Sequence, residues 1–467
     1  MEVKEPTYQE LKELVNILLK QVNELTVIAK RVDSLAIRVQ ELETELAFYK
    51  TPRNSGNSSV PPSKDENRVK RTSSLREKSG KQNGGQPGHE GNSLQMVEIA
   101  DKVIAYKPNY CNCCGEDLSL VEATFTGKRQ VFDVPPPVKP VVIQHETYSK
   151  KCPCGNIIEG HFPPFVTAPV QYGTRVESIV AYLSVRQYMP YRRICEYFTS
   201  VFQLHMSEGS VKNILERFAQ KLYPAYQLIK TEIENAPIVG ADETGVKING
   251  KKGWIWVWQN NLNTFLTVSL NRGNKTINRI FSKGLPKSIL GSDAWAPHLS
   301  TTCRGHQLCL AHMLRELNYF IELYPDNEWP KKIKALFKSA IKYKKSLSKE
   351  DFLSAMPQSQ KIEEELDRLL KIPPNPKYKK ITPFFKRLVK HRQSILTFLH
   401  HFDVSPDNNQ SERAIRNVKV KQKISGQFKT MGGAEIFVII RSVIDTLIKR
   451  NLNIFDSLVQ LANIVLE

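Results

Sequence analysis

The stretch Ile238-Val239-Gly240-Ala241-Asp242-Glu243-Thr244-Gly245-Val246-Lys247-Ile248-Asn249-Gly250 decides the fold. An apolar run over 237–242 ends in a carboxylate, and 245–248 resumes in extended style. Asn249-Gly250 is then a two-residue hairpin signal, because both positions tolerate the positive φ that such turns require. Trp254-Ile-Trp-Val-Trp258 and Phe265-Leu-Thr-Val-Ser-Leu270 complete an antiparallel set. A helix is expected over 275–282, and a buried strand over 288–292 that ends at Asp293. A fifth strand is expected over 307–310 and a helix over 311–323.

Three antiparallel strands followed by a crossover to a strand beside the first is the arrangement of a ribonuclease-H-like fold. In that arrangement the first and fourth strands are neighbours, so Asp242 and Asp293 are expected to meet at their ends. A third carboxylate stands in Asp407-Asn-Asn-Gln-Ser-Glu412-Arg-Ala-Ile-Arg416, a segment with helical pattern. Two strand-end Asp residues and a helical Glu can hold two divalent cations about 3.5–4 Å apart for phosphodiester chemistry. Mg²⁺ (or Mn²⁺) suits that role, since it prefers a few hard oxygens and keeps room for water and phosphate. Strand-closing turn residues are the plainer use of Asp at such places. Glu243 falls on the opposite side of the strand from Asp242 by alternation and is not expected to be a ligand.

The chain has 467 residues, with 67 Lys and Arg against 47 Asp and Glu, a formal charge of +20. That length allows about three domains with packed cores, and a balance this basic points to a polyanionic partner, above all nucleic acid. No long apolar stretch or lipidation motif suggests a membrane. Met-Glu-Val-Lys-Glu at the start lacks the apolar core of a signal peptide, so a cytoplasmic location is expected. Its 8 Cys are then expected to be reduced, and clustered ones to bind metal.

Outward from the strands, five regions separate. Over 1–50, Leu11, Leu18, Leu25, Val32, Val39 and Leu46 fall seven apart, and Leu14, Gln21, Ile28, Leu35, Leu42 and Tyr49 follow three later. That heptad predicts a coiled coil and hence a homodimer or higher homo-oligomer, with Gln21 available to set register. Residues 51–93 are rich in Gly, Pro, Ser and Asn, and read as a basic flexible linker.

Over 94–166, Cys111-Asn-Cys-Cys114-Gly and Cys152-Pro-Cys154-Gly offer four soft thiolates for Zn²⁺. Three thiols share the first knuckle, and the two-residue spacing favours Cys111 and Cys114 over Cys113. Residues 167–235 read as helices, with Ser207 capping the last of them, a helix-turn-helix candidate for DNA as well as a plausible scaffold. The catalytic region is expected over 236–467, with a Lys-rich helical insertion at about 325–400. Six basic residues and no acid run from Arg413 to Lys429. Of these, Arg413, Arg416, Lys419, Lys421 and Lys423 are candidates to draw a phosphate backbone toward Glu412.

Several strings together resemble the insertion-sequence-66 family of transposases. They include Asn54-Ser-Gly-Asn-Ser-Ser-Val-Pro-Pro-Ser63, Gly84-Gly-Gln-Pro-Gly-His89, the Cys111/Cys114 knuckle and Gln187-Tyr-Met-Pro190. Ala241-Asp-Glu-Thr244, Cys309-Leu-Ala-His312 and Asp407-Asn-Asn-Gln-Ser-Glu412-Arg413 follow in the same order. The resemblance implies a multidomain α+β DNA transposase of the DDE type, cleaving and joining the ends of its own element, with Asp242, Asp293 and Glu412 as the triad. It implies double-stranded DNA as partner (terminal inverted repeats and target), nucleoid association, and accessory proteins of the element as further partners. A silent end-binding regulator and a structure-specific nuclease are the alternatives. Cys309 and His312 are expected to be a buried polar pair supporting the acids, with a second zinc site as the other reading.

Overall fold

The computed structural model describes residues 7–54, 56–58, 96–132, 139–151, 153–154, 157–354 and 356–463. The chain opens with α1 (Tyr8–Lys50), a single uninterrupted helix. Thr7 caps it, its hydroxyl accepting from the Glu10 N–H while the Glu10 carboxylate accepts from the Thr7 N–H. Leu11, Leu18, Leu25, Ile28, Val32 and Leu35 are all exposed along it.

The start of the stretch expected as a linker is folded: over 52–54 and 56–58, Asn57 is buried, and its amide donates to the Pro52 carbonyl (3.2 Å) and to Glu322 (2.7 Å). The Arg53 guanidinium lies over the Tyr319 ring. The rest of the stretch expected as a linker, up to 93, lies outside the described residues.

Two short strands, β1 (Ser149–Lys151) and β2 (Ile157–Glu159), pair antiparallel. Between residue 96 and residue 170 apolar side chains such as Val103, Tyr106, Phe125 and Val142 are exposed. Among the described residues no hydrophobic side chain before Val180 is buried.

From there the chain packs. Next come α2 (Thr174–Ala181), a π-helical turn (Tyr182–Arg186), α3 (Tyr191–Phe202) and α4 (Glu208–Glu234). The Ser207 hydroxyl caps α4 as its sequence suggests, accepting from the Ser210 N–H. The sheet strands follow: β3 (Ile238–Ile248), β4 (Lys251–Gln259), β5 (Thr264–Ser269), then α5 (Asn274–Ile280) and β6 (Leu285–Ser292). Next are α6 (Ala296–Leu299), β7 (Cys303–Leu308), α7 (Leu310–Leu323), α8 (Glu328–Ser346), α9 (Asp351–Ser354), α10 (Met356–Lys371) and α11 (Ile381–Lys390). The chain closes with α12 (Asn409–Ser425), α13 (Met431–Lys449) and α14 (Ile454–Asn463).

The five strands of the large sheet run in the order β5-β4-β3-β6-β7. β3, β4 and β5 pair antiparallel; β6 pairs parallel with β3, and β7 with β6. Gly253 and the Asn249-Gly250 turn let β3 and β4 fold tightly on each other, as the hairpin signal requires. Trp256 and Trp258 on β4 are buried and stacked, with centroids 5.7 Å apart.

Leu290 joins a core with α4 and α13, whereas its neighbour Ile289 joins a second core with α7, α8, α10 and α11. Strand alternation therefore puts the two cores on opposite sides of β6. The first core runs without a break from Val180 through Ile233 to Val239 and on to Ala462. A separate helical unit ending at 235 is thus replaced by helices that share the sheet's own core, because the apolar stripe of α4 (Ile214, Phe218, Leu222, Ile229, Ile233) is buried there. The second core belongs to the helical insertion, which begins at α7 rather than at about 325.

Candidate functional site

Parallel pairing matches Ile238 with Ile289, Val239 with Leu290 and Gly240 with Gly291. Continued two residues further, that register sets Asp242 opposite Asp293, one residue beyond β6. Asp242 is half-buried. Its carboxyl is pushed well above the usual aspartate range, first by loss of water and then by the charges of Glu243, Asp293 and Glu412. The Glu243 N–H donates to Asp242 (2.8 Å) and pulls the other way. No ion pair to Asp242 or Asp293 occurs among the described residues. Asp293 accepts from the Trp295 N–H at 3.1 Å, the turn that closes its strand.

Glu412 lies in the first turn of α12, and the link between that helix and the sheet is a set of residues that sequence reasoning did not single out. The Asn408 amide donates to the Ala241 carbonyl (2.7 Å), the residue directly before Asp242. Ser411 donates to the Asn408 side-chain oxygen (2.6 Å), and Gln259 on β4 donates to Ser411 (3.2 Å). All three are buried. Gly240 makes room for them: a Cβ there would stand 2.7 Å from each of Asn408, Gln259 and Ser411. The string Asp407-Asn-Asn-Gln-Ser-Glu412 shows polar residues ahead of the acid but not their partners, which lie 167 and 152 residues earlier in the chain.

From the other side α7 contributes His312 and Arg315. The Arg315 guanidinium is 3.6 Å and His312 Nε2 3.9 Å from Glu412 Oε1. Burial, with the Arg315 charge, holds His312 below the usual histidine range. Cys309 is buried at the start of α7, its Sγ accepting from the Asn408 N–H at 3.3 Å, and burial pushes its thiol up to about 11. The trio whose ligand atoms all lie within 4.8 Å of one another is Cys309, His312 and Glu412, not the three carboxylates.

Glu243 is held on the far side of β3. Arg272 donates to it from both Nε (3.0 Å) and Nη2 (2.7 Å), and His298 Nε2 lies 2.8 Å away. These partners outweigh burial and keep its carboxyl below the ordinary range. Arg272 is itself stacked over Trp254 and Trp295. Adjacent residues in one strand therefore have opposite fates: Glu243 is neutralised by protein, and Asp242 is left for something else.

Of the basic residues after the acid, Arg416, Lys419 and Lys423 fall at helical spacings that put them within roughly 40° of Glu412 around α12. Arg413 stands about 100° round, and Lys421 on the opposite side. Arg413, Arg416, Lys419 and Lys423 are exposed, and Lys419 donates to the Gly245 carbonyl at 2.9 Å. Lys421 is half-buried, and loss of water lowers its ammonium below the usual lysine range. It does not join the face that carries the acid.

The cysteine knuckle is built as a tight hairpin. Tyr110 bridges Asp117, the Cys111 N–H donates to the Glu116 carbonyl (2.9 Å), and the Gly115 N–H to the Cys111 carbonyl (2.9 Å). Gly115 takes φ +78°, which a side chain would disfavour. Backbone N–H groups of Cys114 and Cys113, with the Cys114 thiol, lower the Cys111 thiol below its usual range. Cys154 stands in the turn between β1 and β2; Cys152 lies outside the described residues. Thiols at two hairpin turns are the donor type zinc takes, although no three of the described ones, Cys111, Cys113, Cys114 and Cys154, lie within 4.8 Å of one another.

The strand-end position expected for Asp242 is not found: the residue lies in mid-strand, because β3 continues to Ile248, beside Asp293 just past the end of β6. Residues 169–436 match the family described as "Transposase IS66 family", more than half of the chain. Residues 108–155 match the "zinc-finger binding domain of transposase IS66", and residues 3–95 a family of unknown function. The chain belongs to the IS66 family of transposases. No curated protein matches it. Among the described residues, no helix is long and apolar enough to cross a membrane.

Proposed function

We propose that this chain cleaves and joins the DNA ends of its own insertion sequence, with Asp242, Asp293 and Glu412 holding two Mg²⁺ (or Mn²⁺) ions. The carrying observation is Asp242: a half-buried carboxylate beside two others, without an ion-pair partner among the described residues, next to a Glu243 that Arg272 and His298 hold. The sheet order supports a ribonuclease-H-like catalytic domain, since its central strand carries Asp242 beside the point where the next parallel strand ends and delivers Asp293. When bound, the ions would supply Lewis-acid polarisation of the phosphate and an activated water or hydroxyl. The chain's own part is to hold the acids in place through Asn408 and Ser411, and to exclude bulk water around Asp242. Arg416, Lys419 and Lys423 would guide the backbone to that face.

Zn²⁺ would be held by Cys111, Cys114, Cys152 and Cys154, organising the strand-poor region over 96–166. The exposed apolar seam of α1 would pair with a second copy, so that two catalytic regions serve two element ends. Cytoplasmic action at the nucleoid, and help from accessory proteins, belong to the same reading.

The test is strand cleavage on DNA bearing the element's ends. Asp242→Ala, Asp293→Ala and Glu412→Ala should each lower cleavage by at least ~10³-fold, the scale of losing a group that stabilises transition-state charge, while end binding persists. Cleavage surviving any one of the three removes that residue from the triad. Wild-type binding without cleavage would mean a silent regulator, and cleavage without joining a nuclease.

A further inference from the structure

Glu412 faces two different chemistries. Toward Asp242 and Asp293 it meets hard oxygens. Toward α7 it meets a thiol and an imidazole, with Cys309, His312 and Glu412 offering ligand atoms that all lie within 4.8 Å of one another. The spacing Cys309-x-x-His312 sets both donors on the first turn of α7, and Asn408 brings the start of α12 against them. Glu412 Oε1, which His312 Nε2 faces at 3.9 Å, is buried without a hydrogen-bond partner among the described residues. Unsatisfied buried polar atoms of this kind carry a cost unless something else binds them.

From these three side chains we infer a second, soft-metal site, Cys309–His312–Glu412, that takes Zn²⁺ and thereby withdraws Glu412 from the two aspartates. A sulfur, nitrogen and oxygen set selects a borderline-soft divalent ion over Mg²⁺, which takes oxygen donors. Bond lengths of about 2.0–2.3 Å put tetrahedral donors roughly 3.3–3.8 Å apart. Closing from the present separation therefore needs a shift of only about 1 Å, within rotamer adjustment. Water fills the fourth position, and Arg315 gives up its contact with Glu412 to the ion. Because a Glu412 carboxylate turned toward Cys309 and His312 is turned away from the two aspartates, Zn²⁺ at this position acts as an inhibitor. The binding stands on the three side chains alone; the inhibition rests on the role proposed above for Glu412.

The experiment uses full-length protein dialysed against a buffered free-zinc series, with metal content measured per chain. Wild type should hold about two zinc ions, one at the knuckle and one here. Cys309→Ser and His312→Gln should each hold about one, and Asp242→Asn about two. Cadmium should give a thiolate charge-transfer band whose weaker-binding phase is missing in Cys309→Ser. In cleavage assays at fixed Mg²⁺, each variant scaled to its own zinc-free activity, the half-inhibitory zinc concentration should rise in Cys309→Ser. The rise should exceed roughly 10-fold, the loss that even an outer partner of a metal ligand can cause. Two zinc ions retained in both Cys309→Ser and His312→Gln would overturn the site, as would loss of the second ion in Asp242→Asn. Wild type that cleaves no DNA in any metal would overturn the proposed function and leave the zinc count to decide this site.

Discussion

The front and back of this chain are held together by different means. Behind Val180, two cores pack on either side of a five-stranded sheet, and the acid site sits between them. In front of it, among the described residues, no hydrophobic side chain is buried. What order the front has is a capped helix, a knuckle hairpin, a pair of three-residue strands and one docked turn. The back carries its own cores, whereas on the proposed reading the front would depend on what it binds: metal at the cysteines, another copy along α1, DNA beyond. A region with too little core of its own commonly borrows stability in this way.

The largest effect expected from that contrast is on metal removal. Structural zinc contributes on the order of 10–16 kcal/mol in small zinc modules. Chelation, or Cys111→Ser with Cys114→Ser, should therefore abolish amide-exchange protection over 96–166 and leave 174–463 unchanged. Protection over 96–166 that survives complete loss of zinc would show that the front carries a core of its own.

Next in size is the α1 seam. A charge at Leu25 and Ile28 would lie uncompensated in a packed helical interface, at roughly 3–5 kcal/mol each. Leu25→Asp with Ile28→Asp should convert an oligomer to a monomer in sedimentation while the thermal midpoint of the back stays fixed. A wild-type protein that is already monomeric would make the seam a surface for some other chain.

How much of this was legible in the sequence follows the same division. Period-two strands, the Asn249-Gly250 hairpin and the heptad are local patterns; the strands, the hairpin and a helix under the heptad are present, with β6 and α12 longer than expected. Asp242 and Asp293 could be placed together because strand order follows from the alternation of hairpin and crossover. Other features depend on partners far away in the chain. Asn57 donates to a glutamate 265 residues later, and Asn408 to a carbonyl 167 residues earlier. No local pattern marks an asparagine as a clamp rather than a turn residue. The apolar stripe of α4 says that it is buried, not that it shares the sheet's core.

Within the back, Gly240 tests how tightly the acid helix is tied to the sheet. Gly240→Ala would push a methyl into Asn408, Gln259 and Ser411, which are packed on every side. Overpacking of this kind costs about 1–3 kcal/mol. Cleavage should fall more than the lost stability alone explains, since Glu412 moves with Asn408. Full activity with an unchanged melting temperature would mean that the clamp does not position the acid.

The smallest and most discriminating effect concerns Asp242 itself. Its folded pKa is raised above the unfolded value of about 3.9, by burial and then by Glu243, Asp293 and Glu412. The stability it carries is thus fully present below the unfolded pKa and lost as pH rises through the folded one. Glu243 has the opposite sign: lowered by His298 and Arg272, it stabilises above its unfolded pKa and loses that contribution as pH falls through the folded value. Metal-free protein should therefore lose stability as pH rises from the ordinary carboxylate range toward Asp242's raised value, and recover it when Mg²⁺ is added. Asp242→Asn should flatten that slope, melt higher than wild type without metal near neutrality, and gain less from Mg²⁺. Thermal midpoints across pH, with and without Mg²⁺, decide it. An Asn variant that melts lower than wild type without metal would mean that the half-buried carboxylate is satisfied by the protein after all, and that the acids are part of the fold's own packing.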